Sequence, residues 1–584
     1  MDSTEQLGLK QAALMYLDKS GALQKLREKC LVYANSKQVH TVYNFVLTLN
    51  PMELAEINAE FCNLVLNQVS SAANIFQEVC FTAIQTLSLL PTVENSSQVL
   101  VHLRVNDIPN LPSYQLDPYD LWSCKADKRF YKFRGVVCSM STITKYTQAA
   151  RYYCPVSSCD GSSGHHYIRI HTTGASEFQT IRNDFVCMFC GSTLVEDVAC
   201  RLLADKVVVQ MLADKALKCC WKISSERVRH QSVTVVLRGD LASDVTIGGT
   251  YSVIGIPMYM YRQADISVTF EANNIIEVNN ESQEFHQDYT CDPTACIPSS
   301  VQTLYNDRMS SSWSFVASLA YIFGSDITPA GSYFRLKLGM LLSLVQKPEI
   351  CKKKTRESRG LNVLAVGSDT VILNRLLMHG ASFASCHLHH TGNDSLFATV
   401  TKNTTGTGAC TIDGGSLMLC RDGICTLGDL TYYKKDCRDS LLYAMEHSAI
   451  TINIPKKYSE QTLHQQVSVP IRCNIWAYVA ANYKSSTNND IFTQQDYGNI
   501  PRIFADPFGM MYICASPDTC WDNYVETCLM NQILTNAVLD ETQRYTIQSV
   551  VSTEDLQKVS NGIKGTSINF KIFVLLLLKE SQNL

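Results

Sequence analysis

The sequence predicts a multidomain α+β chain: a helical N-terminal subdomain, a strand-rich middle carrying a four-cysteine insertion, and an α/β domain beginning near residue 306. Three observations predict it. Residues 1–95 repeat apolar positions at helical spacing, as in LKQAALMYLDKSGALQKLREKCLVY. Cys154, Cys159, Cys187 and Cys190 form two close pairs inside a run of short strand patterns spanning 96–278. The apolar run 361–366 stops at Gly367, and a helical pattern opens at Leu373, Asn374, Arg375, Leu376 and Leu377, as when a buried strand enters a loop and then a helix. At 584 residues, 46% of them hydrophobic, the chain is long and apolar enough for roughly three or four domains with separate cores.

Within the first 95 residues, Asn50 and Pro51 restart a helix in PMELAEINAEFCNLVLNQ, since Asn caps a helix start and Pro presets its first turn. Residues 279–305 read as a polar, Pro-containing linker, and from 306 to 560 helices and strands alternate. No internal repeat is present. The opening MDSTEQLGLKQ is polar and charged, without a secretory apolar core, so the 24 cysteines read as reduced intracellular thiols and metal ligands. The apolar run 570–578 is too short to cross a bilayer, so a soluble protein with no membrane partner is expected. A net charge of -4 excludes a strongly basic whole surface and leaves room for a local positive channel.

The cysteine pairs are separated by 27 residues, a spacing that lets two loops offer four thiolates to one tetrahedral Zn²⁺. Number alone proves little, because random placement of 24 Cys gives about one pair two residues apart. Cys291/Cys296 and Cys420/Cys425 share the four-residue gap of the first pair. Context separates them: YYCPVSSCDGSSG and FVCMFCGSTL place each pair after strand-like residues and before glycine, the turn chemistry of a zinc knuckle. His165 and His166 are alternative ligands or surface residues of the intervening hairpin. A four-thiolate zinc has no open position, so a structural role is expected.

A phosphate-binding loop needs glycines, a Lys for the β/γ-phosphates and a Ser/Thr for Mg²⁺. Here only Gly367 remains. LNVLAVG followed by RLL nevertheless resembles the Walker A segment of the minichromosome maintenance (MCM) helicase family, whose loop reads Gly-Asp-Pro-Gly-Thr-Ala-Lys-Ser. Laid on it without a gap, the family Lys falls on Leu373 and the Ser on Asn374. GSLMLCRDGICTLGDL resembles Walker B, with the Asp-Glu pair on Gly428 and Asp429. DSLLYAMEHSAITI is similar to the helix and presensor hairpin that follow, with an insertion around Lys456, Lys457 and Tyr458. In RCNIWAYVAAN the sensor Asn falls on Ala480 without a gap or on Asn482 with one; in ADPFGMMYI the arginine finger falls on Pro507. These groups serve one reaction, and their joint loss implies a retired ATPase in which Gly367 and Asp429 are remnants of the nucleotide site.

The resemblance extends through the first half. FRGVVCSMSTITKYTQAARYYCP and VTVVLRGDLASDVTIGGTYSVIGIP are similar to family strands that flank a zinc ribbon, implying an OB-fold barrel over 96–278 with the ribbon at about 150–195. The first cysteine pair encloses four residues where many relatives have two. The family carries a DNA-contacting hairpin near ADKALKCCWKISSERVRH, which implicates Lys215, Lys218, Lys222, Arg227 and Arg229, with Trp221 among them, in phosphate contact and base stacking. The same segment fits a solvated amphipathic element with Trp221 inward. The resemblance implies a degenerate AAA+ domain over 306–560, followed by an atypical tail, 561–584, read as an alternative ending. The chain is most similar to those family members that pair a degenerate ATPase with an intact N-terminal half, and that resemblance implies a nuclear, DNA-binding scaffold in meiotic homologous recombination and double-strand break repair. Its partners would be single-stranded DNA or recombination intermediates, and MCM-type or recombination proteins. Two alternatives stay open: a silent subunit of an MCM-type hexamer, or a divergent ATPase using Lys352, Lys353 or Lys354.

Overall fold

The computed structural model describes residues 3–36, 41–118, 129–213, 231–278, 312–346, 360–402, 410–454, 466–480 and 505–514, with short breaks inside these stretches and isolated positions outside them. The linker apart from Thr303 and Leu304, Lys352 to Lys354, the presensor insertion, Asn482 and the tail lie outside the described residues. The chain divides into two compact units, the first formed by 1–216, 226–277 and 402–411, the second by the remainder.

The first unit begins with α1 (Ser3–Lys19), α2 (Ala22–Asn35), β1 (Tyr43–Leu49), α3 (Pro51–Ile57), α4 (Ala59–Asn67), α5 (Val69–Thr86) and β2 (Val99–Val105). Asn50 accepts from Met52 N at 3.2 Å with Pro51 at the first helical position, as the sequence predicts. Asn58 then caps a second start by accepting from Phe61 N at 2.9 Å, so the single expected helix is two. The helical reading of 1–95 also missed β1. YNFVLTL buries alternate residues and pairs in parallel with β2, from Tyr43↔Val99 to Leu49↔Val105. Its partner lies some fifty residues on, beyond the reach of local periodicity.

The strands that follow are longer than expected: β3 (Tyr131–Ser141), β4 (Thr144–Tyr153), β5 (Ile168–Ile170), β6 (Val195–Ala213), β7 (Ser232–Arg238), β8 (Thr250–Arg262) and β9 (Asp265–Glu277). β3, β8, β9, β7 and β6 neighbour one another in that order, and β6 pairs back with β3, closing a five-stranded barrel. Gly255 sits at a register shift between β8 and β9, where a Cβ would strike the Glu271 carbonyl. β6 serves two structures. Its second half lies in the barrel, while its first half pairs with β4 as an arm that carries the cysteine insertion.

A buried ionic network ties the segment after β5 to the barrel. Glu271 accepts from Arg238 Nε at 2.8 Å and Gly174 N at 2.5 Å, with His171 Nε2 at 3.0 Å. Glu177 accepts from Arg238 and Lys206, each at 2.8 Å. Burial pushes the Glu271 carboxyl up, but His171, Arg238 and the Gly174 N–H together outweigh it and hold the group below its ordinary range.

The second unit is an α/β domain. Its elements are α6 (Ser312–Ile322), α7 (Phe334–Val345), β10 (Val363–Gly367), α8 (Thr370–Ser382), β11 (His387–His389), α9 (Ser416–Leu419), β14 (Ile424–Asp429), α10 (Lys435–His447), β15 (Ala449–Asn453), β16 (Gln466–Pro470), β17 (Asn474–Ala480), α11 (Ala505–Phe508) and β18 (Met510–Ile513). Between β11 and α9 the chain forms β12 (Thr399–Lys402) and β13 (Cys410–Asp413), which flank the 402–411 segment of the first unit and extend its sheet beside β3. A parallel sheet in the order β11-β14-β17-β10-β18 forms its centre, and β15 and β16 make an antiparallel hairpin after α10. Trp476 of β17 is fully buried and donates to Ser343 Oγ at 2.8 Å. Among the described residues no helix is long and apolar enough to cross a membrane. The whole is a mixed α/β chain.

Candidate functional site

The four cysteines meet at the tip of the β4–β6 arm. The first pair follows β4 directly. Cys154 N donates to the Gly161 carbonyl at 3.1 Å and Cys159 N to Val156 at 3.0 Å, curling 154–161 into a turn. The second pair sits in a knuckle closed by Cys187 N to Ser192 O at 2.8 Å and Gly191 N to Cys187 O at 3.0 Å. Gly191 holds φ at +72°, which explains the glycine after the pair. Tyr152, Tyr167 and Leu194 form a small core beneath the thiols, with Phe185 edge-on to Tyr152 at 5.0 Å.

All four Sγ atoms lie within 4.8 Å of one another. Cys154 and Cys190 are 3.3 Å apart, and Cys159 and Cys187 3.7 Å. A disulfide needs about 2.05 Å, so these are thiols. Tetrahedral Zn–S bonds of about 2.3 Å place neighbouring sulfurs about 3.8 Å apart, close to the spacing found. The donor set therefore fits a tetrahedral thiophilic ion. Tyr167 Oη lies 3.2 Å from Cys187 Sγ and accepts from Met188 N at 3.0 Å. Its hydrogen bond is the chief cause pulling the Cys187 thiol down to about 6, while Ser192 lowers Cys190. Burial pushes Cys154 up to about 12. A bound cation would hold all four as thiolates.

His165 and His166 take no part. Ser97 Oγ donates to the His165 carbonyl at 2.6 Å, and His166 Nδ1 lies 2.9 Å from Asn95 Nδ2, so both face the turn before β2. Tyr167, Ser192 and this contact escaped sequence reasoning. An aromatic between two cysteine pairs hinted at the first, but no local signal joins residues about seventy positions apart. Among the described residues no other group of three or more His, Cys, Asp or Glu could hold a metal.

The strand–loop–helix frame is present, but helix α8 begins at Thr370, three residues before the expected opening. The earlier start draws Leu373 into the core. Leu373 is fully buried, and its Cδ1 lies 3.0 Å from where a Cβ on Gly367 would stand, with Cys514 Cβ at 3.2 Å from that point. Asp429 accepts from Thr431 N at 2.9 Å and Thr431 Oγ1 at 2.8 Å, capping the short turn after β14. The Pro507 carbonyl accepts from Asn362 Nδ2 at 3.2 Å, and Ala480 ends β17. These residues do not fit a magnesium triphosphate. An apolar side chain adjoins the loop glycine at the position where the family has its Lys, and one oxygen of the remaining carboxylate is engaged in a cap. Lys215, Lys218, Lys222, Arg227 and Arg229 belong to the connection between β6 and β7 and lie outside the described residues.

Comparison with known proteins gives this geometry a lineage. Residues 9–108 match the family model described as MCMDC2, N-terminal domain, and residues 308–515 match the MCM P-loop domain. Minichromosome maintenance domain-containing protein 2 of Homo sapiens is 36% identical over 575 residues, covering 97% of this chain and 81% of its own length. The proteins of the same name from Rattus norvegicus and Mus musculus are each 35% identical, covering 97% of this chain and 81% and 82% of their own lengths. Likeness at that level across both units, together with a P-loop frame at the matching residues, means that the chain belongs to the minichromosome maintenance domain-containing protein 2 family.

Proposed function

We propose that this protein is a nuclear, MCM-like DNA-binding scaffold that does not turn over ATP and supports homologous recombination and double-strand break repair, in meiosis above all. The observation that carries the reading is Leu373, buried beside Gly367 where the family places its phosphate-binding Lys. Capping by Asp429 supports it, because Thr431 occupies one oxygen of the one carboxylate left at Walker B. In this reading the closed barrel is an OB-fold, and Cys154, Cys159, Cys187 and Cys190 hold one structural zinc. The ion would supply no reactive position; it would fix the arm that β4 and β6 extend from the barrel. Lys215, Lys218, Lys222, Arg227 and Arg229 would supply phosphate contacts on single-stranded DNA or recombination intermediates, with MCM-type or recombination proteins as partners.

The test is ATP turnover by the purified, zinc-loaded protein with single-stranded DNA, beside Asp429→Ala. No turnover in either, with the fold intact, is expected. Turnover abolished by Asp429→Ala would refute the reading. Turnover that appears only after mixing with intact MCM-type subunits would replace it with that of a silent hexamer subunit.

A further inference from the structure

The outer edge of β1 carries a second feature, built from residues outside the cysteine knuckles and the P-loop segment. In the parallel ladder with β2, Asn106 N donates to the Leu49 carbonyl at 2.9 Å, which fixes the odd residues of β1 toward β2 and the even residues outward. Tyrosine hydroxyls occupy both ends of the outward row. Tyr33 Oη donates to Asn44 O at 3.1 Å and accepts from Asn44 N at 3.2 Å. Tyr16 Oη lies 3.4 Å from Thr48 O and accepts from Asn50 N at 2.9 Å. Between these caps the Val46 N–H and C=O and the Thr48 N–H face a recess of about 120 Å³ between β1 and α2. Lys25 and Lys29, one helical turn apart and both exposed, line its mouth, and none of its lining residues is acidic. Donors outnumber acceptors, and the fixed charge is positive.

We infer that this recess binds one oxyanion, a phosphoryl or carboxylate group on the side chain of a partner peptide, accepted by the Val46 and Thr48 amides and paired with Lys25 and Lys29. The tyrosine caps confine it to a single group. An added β-strand would need the Asn44 and Thr48 groups that the hydroxyls already use. A nucleic-acid backbone would need a continuous track of cations, and this row ends after two.

The test uses the full zinc-loaded chain and a fluorescein-labelled, alanine-rich decapeptide bearing one phosphoserine, with glutamate and serine versions as controls. Saturable anisotropy is expected for the phosphoserine or glutamate peptide and not for the serine peptide, with competition by inorganic phosphate above an ionic-strength-matched chloride control. Lys25→Ala/Lys29→Ala should weaken it at least about tenfold, as loss of two charge-assisted contacts requires. Both positions are exposed, so the variant should keep its fold, and circular dichroism checks this. Val46→Pro, which removes one amide donor at an outward edge position, should weaken binding while leaving both lysines in place. No saturable binding, or equal affinity in the parent and double-alanine proteins, overturns the inference. Labelled single-stranded DNA that loses affinity in the double variant to the same extent as the peptide also overturns it, because the lysines would then serve a nucleic-acid track.

Discussion

Lys337 lies in α7, fully buried beneath the α/β sheet, and its Nζ has no hydrogen-bond partner among the described residues. Burial lowers its pKa from 10.5 to about 8. At about 1.4 kcal/mol per tenfold change in proton affinity, that corresponds to roughly 3 kcal/mol set against the fold while the amine is charged. Below about pH 8 both folded and unfolded states carry the proton, and the native state bears the full cost. Between about pH 8 and 10.5 the unfolded chain keeps the proton that the native chain has released, so stability rises with pH. Lys337→Met retains a flexible stem of similar size without the charge. We expect the variant to be about 2–3 kcal/mol more stable than the parent at pH 7, and the gap to close as pH approaches 10. Urea unfolding followed by tryptophan fluorescence, to which buried Trp476 contributes, measures it. A variant less stable at pH 7, or a gap unchanged from pH 7 to 9.5, would refute the reasoning.

Three further outcomes follow from the same physical picture. Cys187→Ser, or a strong chelator, should open the arm at 154–194 to protease while the second unit keeps its cooperative transition; zinc measured on the parent should be near one per chain, and unchanged proteolysis would contradict a structural ion. Glu271→Ala leaves His171 buried without its acceptor and Arg238 with Glu177 alone, which should cost about 3–5 kcal/mol at neutral pH. Because the parent carboxyl titrates below its ordinary range, the stabilisation it gives is lost as pH falls through that lowered value, and the parent–variant gap should shrink in acid. Replacing Lys218 and Lys222 by Ala should weaken binding of single-stranded DNA about equally across sequences and flatten the salt dependence; an unchanged slope in a salt titration of anisotropy would remove that segment from the interface.

Local chemistry made much of this legible. The Asn50-Pro51 start, the two knuckles with glycine after each, and the apolar strand ending at Gly367 each depend on a few adjacent residues, and each forms as the sequence predicts. What failed involved distance along the chain. β1 was hidden because its hydrogen-bond partner is β2, and the break at Asn58 was hidden because a capping side chain looks like any polar residue within a helical run. The cysteine pairs could be proposed from spacing, yet Tyr167 and Ser192 beside the thiols could not, since their role arises only when the loops fold together.

The sequence by itself determined that positions 373, 428 and 507 cannot supply an ammonium, a carboxylate or a guanidinium, because Leu, Gly and Pro lack those groups in any fold. Tertiary structure alone decided what took their place: Leu373 turned inward beside Gly367, and Asp429 committed to a cap. It also decided that four cysteines converge within 4.8 Å while His165 and His166, seven residues from the nearest of them or closer, turn away. Residue type limits which interactions are possible. Which of them form depends on the neighbours that packing brings from elsewhere in the chain, and a buried group is held by those neighbours because leaving it unpaired is costly.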